Sequence, residues 1–191
     1  MCSSDLPLEL FYDLIEQNNA SIQQTEIPRQ LKSFPDFIRA AMREEPTDIE
    51  VGECRDAETM EATIQAIISG HRTTTSVHTH DPASTVRRVV SLCPPSDRDS
   101  YAIALIDNLK LIVNQRLLRS TDGKRTAIRS FLPFNRKIRE ALLDAPQARW
   151  PNMVRGFVAE YGQTFEQSIK DVHAQGRISD AVADCAMKEL D

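Results

Sequence analysis

The densest group of chemically capable side chains lies between Val51 and Thr59, in the sequence Val-Gly-Glu-Cys-Arg-Asp-Ala-Glu-Thr. This group follows a predicted strand and precedes a predicted helix, and ligands of open α/β sheets bind at the carboxyl ends of strands. There, the Glu53 carboxylate could hold Mg²⁺ through water or orient an attacking water. Gly52 would let the backbone approach a ligand closely. The alternative is a surface salt bridge between Glu53 and Arg55 at the start of a helix.

Histidines form a second group of candidates one unit further along the chain. His71 follows a predicted helix and His78 follows the next predicted strand. Two imidazoles at successive element ends could face one pocket, where they would contact phosphate or relay a proton. A single histidine is more often structural, and we assign that role to His80. A metal-dependent hydrolase using Glu53 and the three histidines is a weaker alternative, because the spacing does not match a helical H-E-x-x-H set.

Strands and helices alternate around both groups, which predicts crossover connections and a mainly parallel sheet. The pattern predicts strands at 48–52 and 72–77, helices at 57–69 and from Pro82 to about 93, and an earlier helix capped by Ser33. A helix at 97–109 and a hairpin of 111–118 with 125–132 follow, and then four helices with Trp150 as their anchor. Residues 1–6 match no element, and 17–24 are predicted to be coil. We place a domain boundary near Pro133, separating 1–132 from a helical part at 133–191.

Composition narrows the class of protein. No run of about eighteen apolar residues occurs, and the first residues given do not show the basic region followed by an apolar stretch that is typical of a signal peptide. The net charge of -5 argues against a general nucleic-acid-binding surface, so we expect no direct nucleic-acid partner. The four cysteines form no C-x-x-C pair, which argues against a zinc ribbon and fits a reducing cytosol.

The order and spacing of these motifs resemble the ATPases of the type II/type IV secretion superfamily, which includes pilus-retraction motors. Residues 52–59 are similar to the Walker B box of that family, and Gly70-His71 with Val77-His78-Thr79 are similar to its His box. Further similarity lies in segments before and after these boxes: 24–29, 39–43, 115–118, 123–125 and 131–132. The closest subgroup is the Dot/Icm-type (type IVB) secretion and IncI-type conjugation ATPases.

The resemblance implies a fold and a set of roles. The fold would be a partial RecA-like P-loop NTPase core, truncated at its N-terminal side, with a C-terminal hairpin and helical subdomain. ATP and Mg²⁺ would be the cofactors. Glu53 would be the Walker B carboxylate near Mg²⁺, and Gly52, Arg55 and Asp56 would support the nucleotide site. His71 and His78 would link the nucleotide state to the neighbouring subunit. Pro7-Leu8-Glu9 would be the tail of the Asp box.

The same resemblance implies a homo-hexamer at the cytoplasmic face of the inner membrane, held there by secretion or conjugation channel proteins. Two departures from the family pattern bear on activity. Ser4 precedes Asp5 where the family has a catalytic Glu, and no G-x-x-x-x-G-K-[ST] loop occurs in the sequence. We therefore expect this chain alone to bind ATP weakly and to hydrolyse almost none. The alternative is a non-catalytic α/β interaction domain that associates with a complete secretion ATPase.

Overall fold

The computed structural model describes the backbone of residues 2–5 and both backbone and side chains of residues 16 and 21–190. The chain divides into two compact units. The first unit contains residues 1–78 and 88–108, and the second contains residues 79–87 and 109–191. The sequence-based boundary near Pro133 would have split the hairpin from the helices that follow it, whereas the structure groups them in the second unit.

The first unit is built on a four-stranded parallel sheet with helices connecting its strands. Its elements are β1 (Cys2–Asp5), β2 (Gln23–Glu26), α1 (Phe34–Met42), β3 (Asp48–Val51), α2 (Ala57–Ile68), β4 (Arg72–Thr75) and α4 (Arg98–Asn108). Helix α3 (Pro82–Leu92) begins in the second unit and ends in the first. The predicted α/β class with a parallel sheet is confirmed.

The strand order is β2-β1-β3-β4, so β1 and β3 are the inner strands of the sheet. Cys2 pairs with Gln23 on one side and with Ile49 on the other. No element was predicted for β1, and β2 lies partly within the segment 17–24 that was predicted to be coil; the coil prediction is wrong for Gln23 and Gln24. Both strands have only four residues and no apolar alternation, so they depend on pairing with neighbouring strands rather than on a local pattern.

Local sequence accounts well for the helices of the first unit. Ser33 caps α1 by accepting a hydrogen bond from the Asp36 backbone N–H, and Pro35 lies in the first turn. Helix α2 ends next to Gly70, whose φ of 94° is in the left-handed region that favours glycine. The apolar faces of α1 and α2 pack together with β3 in a core of Ile27, Phe34, Phe37, Ile38, Ala41, Ile49, Val51, Ala62 and Ala66.

The second unit combines a hairpin with a series of helices. Its elements are β5 (Leu111–Arg119), β6 (Arg125–Pro133), α5 (Arg136–Leu143), a 3-10 turn (Gln147–Arg149), α6 (Trp150–Tyr161), α7 (Phe165–Ala174) and α8 (Asp180–Lys188). The strands pair antiparallel from Leu111 with Pro133 to Arg119 with Arg125, and the Asp-Gly pair at 122–123, a common hairpin signal, lies in the turn between them.

Apolar residues of β6, α7 and α8 form the core of the second unit, and they include Ile128, Phe165, Ile169 and Val172. Trp150 is buried, and its indole N–H lies 2.6 Å from the Leu142 carbonyl oxygen and 3.0 Å from that of Ala145. The prediction that Trp150 anchors the terminal helices is therefore confirmed. In the part of the chain described here, no helix is both long and apolar enough to cross a bilayer.

Candidate functional site

The segments that leave β3 and β4 stay side by side beyond the last strand residues. Val51 pairs with Thr75 at the carboxyl end of the sheet. One residue further, the Ser76 carbonyl accepts a 3.0 Å hydrogen bond from the Cys54 backbone N–H. The Ser76 hydroxyl donates a 2.6 Å bond to the Gly52 carbonyl. These bonds hold the two loops in a fixed alignment where a ligand of a parallel sheet would bind.

Glu53 is the centre of this end of the sheet. Its side chain is only 13% exposed, although it lies in a loop. The Arg55 Nε donates to Glu53 Oε2 at 2.5 Å, and the His78 Nε2 lies 3.7 Å from the same oxygen. Arg55 and His78 are themselves 67% and 88% exposed. A largely covered carboxylate thus faces two exposed groups that can carry positive charge, an arrangement that suits contact with an anionic ligand or its bound cation.

The Glu53–Arg55 salt bridge was also the alternative interpretation of this stretch, and it is present. Because Arg55 is mostly solvated, such a pair contributes only about 0–1 kcal/mol to stability. Stability alone therefore does not account for a carboxylate held in place at the end of a strand.

The Asp56 carboxylate is bonded to the first turn of α2. Its Oδ1 accepts the Thr59 backbone N–H at 2.8 Å and its Oδ2 accepts the Thr59 hydroxyl at 3.0 Å. Asp56 is thus the N-cap of α2. The neighbouring Cys54 is buried, and burial raises the pKa of its thiol to about 12. A thiol with that pKa stays protonated at neutral pH and is a packing residue.

The prediction that His71 and His78 face one pocket is wrong. His71 precedes Arg72, which pairs with Asp48 at the amino end of the strands, whereas His78 follows Thr75 at the carboxyl end. Because seven residues of extended chain span roughly 20 Å, the two histidines lie far apart. The His71 Nδ1 is buried and has no hydrogen-bond partner among the described residues. At the same edge, Arg72 makes a bidentate pair with Asp48 at 2.5 and 2.8 Å.

The structure also locates the other candidates. His80 is exposed, and its backbone N–H lies 3.3 Å from the Ser84 hydroxyl at the start of α3. Glu9 lies outside the described residues. Across residues 16 and 21–190, no three His, Cys, Asp or Glu side chains are grouped so that they could hold a metal ion. A Mg²⁺ here would take Glu53 as its carboxylate and complete its shell with phosphate oxygens and water, which is the usual Mg²⁺ chemistry in proteins.

Sequence reasoning missed two contributors. Ser76 joins the two loops, and Arg88 of α3 approaches the Arg55 carbonyl with its Nη2 at 3.5 Å. The only available indication was that Ser76 directly follows a Thr-rich strand. Its contact with Gly52 depends on strand pairing, which the sequence does not display.

A scan against protein-family models matches residues 7–177 to the family described as type II/IV secretion system protein. Among curated proteins, the twitching motility protein of Neisseria gonorrhoeae is 29% identical over 93% of this chain and 48% of its own length. The type IV pilus ATPase PilT of Pseudomonas aeruginosa is 28% identical over 91% of this chain and 49% of its own. The chain thus spans about half the length of the curated relatives it matches.

Solved structures give the same result. The Legionella pneumophila ATPase DotB superposes with a TM-score of 0.94 and 34% identity, covering 98% of this chain and 51% of that protein. The pilus retraction motor PilT with bound ADP superposes with a TM-score of 0.83 and 29% identity, covering 97% of this chain and 52% of that one. The fold and the family match over most of the chain agree, and the chain belongs to the type II/IV secretion system ATPase family.

Proposed function

We propose that this chain forms the part of a secretion motor's ATP site that carries the carboxylate and a histidine. The motor would be the ATP-hydrolysing subunit of a type IV secretion system of the conjugation or Dot/Icm class. The observation that carries the proposal is Glu53, 13% exposed at the carboxyl end of β3 with Arg55 and His78 beside it. Its relative PilT has been solved with ADP bound, which supports a nucleotide as the ligand.

Each residue has a role that follows from its position. Glu53 would hold Mg²⁺ through a bound water, and the nucleotide phosphates would supply direct ligands. When bound, Mg²⁺ would neutralise charge on the phosphates. Gly52 offers its backbone to the ligand, Arg55 balances the Glu53 charge, and Asp56 fixes the start of α2. His78 faces the nucleotide side of the sheet.

His71 requires a different role, because it lies at the amino end of the strands, whereas Glu53 lies at their carboxyl end. We propose that it acts in the contact with a neighbouring subunit rather than at the nucleotide itself. The His71 residue is only half-buried, so part of its imidazole stays accessible to a partner. We also propose Glu9, at the tail of the Asp box, as a catalytic residue.

We further propose that the 191-residue chain binds ATP weakly and hydrolyses almost none, since its sequence has no G-x-x-x-x-G-K-[ST] loop. The test compares phosphate release by the purified chain with that of Glu53→Gln, which removes one charge with little change in shape. The expected result is equal, background release from both. Mg²⁺-dependent turnover that Glu53→Gln abolishes would show that the chain is a complete catalyst.

The choice of secretion class rests on the degree of likeness. DotB is more similar than PilT in both TM-score and identity. We propose that the chain works in a homo-hexamer, at the cytoplasmic face of the inner membrane, on channel proteins that hold it there. Crosslinking in cells followed by identification of the linked proteins tests this. Recovery of pilus-retraction components instead of secretion or conjugation components would redirect the assignment.

The second candidate is a non-catalytic domain that associates with a complete secretion ATPase, and the missing phosphate loop favours it. DNA sequencing upstream of the Met1 codon separates the two. A reading frame that continues into a phosphate loop supports the motor. A promoter and start codon at Met1 support the associating domain.

A further inference from the structure

The two peptide groups on either side of Glu53 are both bonded to one residue, Ser76. The Ser76 hydroxyl donates a 2.6 Å hydrogen bond to the Gly52 carbonyl, which belongs to the peptide group before Glu53. The Ser76 carbonyl accepts a 3.0 Å hydrogen bond from the Cys54 N–H, which belongs to the peptide group after Glu53. All four residues lie in the first unit. Ser76 therefore holds the loop of Glu53 from both sides.

This double attachment sets the backbone conformation of Glu53. A peptide group is planar, so the backbone of one residue has only two soft dihedrals, φ and ψ, and these set how its two flanking peptide planes are oriented. Because both planes that flank Glu53 are bonded to the same residue, neither dihedral can change much without breaking a hydrogen bond. The Cα–Cβ bond of Glu53 leaves the chain between these planes, so its direction is fixed as well.

The Glu53 carboxylate is held only weakly by its own contacts. Its side-chain partners among the described residues, Arg55 and His78, are 67% and 88% exposed. Ion pairs with groups this solvated add little stability, because water screens the attraction and the long side chains lose entropy. The direction in which the carboxylate points therefore depends mainly on the backbone that carries it, and so on Ser76.

Ser76 also lies close in sequence to the imidazole of the site. His78 follows Ser76 by two residues within the same unit, and its Nε2 lies 3.7 Å from Glu53 Oε2. The segment that carries the imidazole and the loop that carries the carboxylate are thus joined at one residue. A longer contact of 3.5 Å joins the Arg88 Nη2 to the Arg55 carbonyl further along the same loop.

We propose that Ser76 is a positioning residue for Glu53, acting through the two peptide groups that it holds. The proton of its hydroxyl is committed to the Gly52 carbonyl, so the effect of Ser76 on a ligand passes through Glu53. Its effect on Mg²⁺-ATP rests on the proposed function, whereas its hold on Glu53 does not.

The first test uses the free chain, so its outcome does not depend on whether ATP binds. Ser76→Ala removes the hydroxyl bond to Gly52 and keeps the backbone bond to Cys54, and the variant should fold because Ser76 is exposed. We expect the ¹⁵N order parameter of the Glu53 amide to fall from the rigid value of about 0.85 toward about 0.6. Ser76→Thr retains a hydroxyl and should keep the rigid value. An equally rigid Glu53 amide in Ser76→Ala would overturn the proposal.

The second test measures the dissociation constant of Mg²⁺-ATP by titration of the amide chemical shifts. The apparent constant rises as the fraction of molecules with a correctly directed carboxylate falls, and loss of one hydrogen bond corresponds to about a 3- to 10-fold rise. We expect this rise in Ser76→Ala, but no further rise when Ser76→Ala is added to Glu53→Gln, because the two residues act through one contact. An equal rise in both backgrounds would overturn the proposal.

Ser33→Ala is the matched control. It removes a serine hydroxyl from the same unit, where Ser33 caps α1 by accepting the Asp36 N–H at 3.3 Å. We expect it to leave both readouts unchanged, and effects as large as those of Ser76→Ala would overturn the positioning role in favour of a general loosening of the unit. If the unchanged chain binds no Mg²⁺-ATP, the proposed nucleotide site is wrong, and the Glu53 order parameter still decides the role of Ser76.

Discussion

Replacing Gly162 with Ala tests the contact that joins the end of α6 to strand β6. A Cβ at this position would lie 2.1 Å from the Phe131 carbonyl oxygen. Carbon–oxygen contacts in proteins are about 3.3–3.6 Å, so the backbone must move by about 1.2 Å or more. Phe131 and Gln163 exchange two backbone hydrogen bonds of 3.0 Å at this point, and such a movement would break them. Their loss at about 1 kcal/mol each, together with about 1–3 kcal/mol for overpacking, predicts a loss of about 3–5 kcal/mol in the free energy of unfolding.

Gly156→Ala is the matched control, since it makes the same chemical change within α6. An added Cβ there meets nothing within 4 Å. Alanine in an exposed helix interior is favoured over glycine by about 0.5–1 kcal/mol, so this variant should be more stable than the unchanged chain. Urea unfolding followed by fluorescence measures both, because Trp150 is the only tryptophan in the sequence and lies in the same unit. Equal stability of the two variants would refute the close approach at Gly162.

Two further predictions follow from the shifted pKa values. Burial raises the pKa of the Cys54 thiol to about 12 and that of the Cys93 thiol to about 11, so at pH 8 about one of these thiols in a thousand or fewer is ionised. Iodoacetamide should therefore modify the exposed Cys185 far faster than either buried thiol. Peptide mapping of the labelled chain checks this, and equal labelling of Cys54 and Cys185 would contradict the burial. The hydrogen bonds from Arg72 hold the pKa of the Asp48 carboxyl below its ordinary value. The stability that this pair gives the folded chain is therefore present above the Asp48 pKa in the unfolded chain, about 3.9, and is lost as the pH falls through the Asp48 pKa in the folded chain. Arg72→Gln should therefore lower stability slightly at pH 7 and hardly at all at pH 2, and the same loss at both pH values in urea unfolding would contradict it.

The elements predicted correctly from the sequence are those with a local cause. Ser33 with Pro35 marks the start of α1, Gly70 follows α2, and the Asp-Gly turn sets the hairpin. The two strands that were missed, Cys2–Asp5 and Gln23–Glu26, have no such cause. These segments are strands because they pair with neighbouring strands that are distant in the sequence. Four residues are too few to show the alternation of apolar and polar residues by which a strand is predicted.

The candidate site was predictable in type but not in arrangement. Residue types and order pointed to Glu53 and His78, and the structure places them 3.7 Å apart. The predicted position of His71 was wrong, because His71 and His78 lie at opposite ends of the same strand, β4. A position next to the end of an element in the sequence does not say at which end of the sheet a residue lies. The role of Ser76 was not predicted, because its partner Gly52 is 24 residues away and belongs to another strand's loop.

We propose above all that the carboxyl end of β3, with Glu53 and His78, is part of a nucleotide site. Its most direct test is a titration of the ¹⁵N-labelled chain with Mg²⁺-ATP at millimolar concentrations, following each backbone amide. We expect chemical-shift changes to concentrate at residues 52–56 and 76–79 and to shrink in Glu53→Gln, whereas His80→Ala leaves them unchanged. An absence of shifts in these segments, or shifts of equal size in Glu53→Gln, would contradict it.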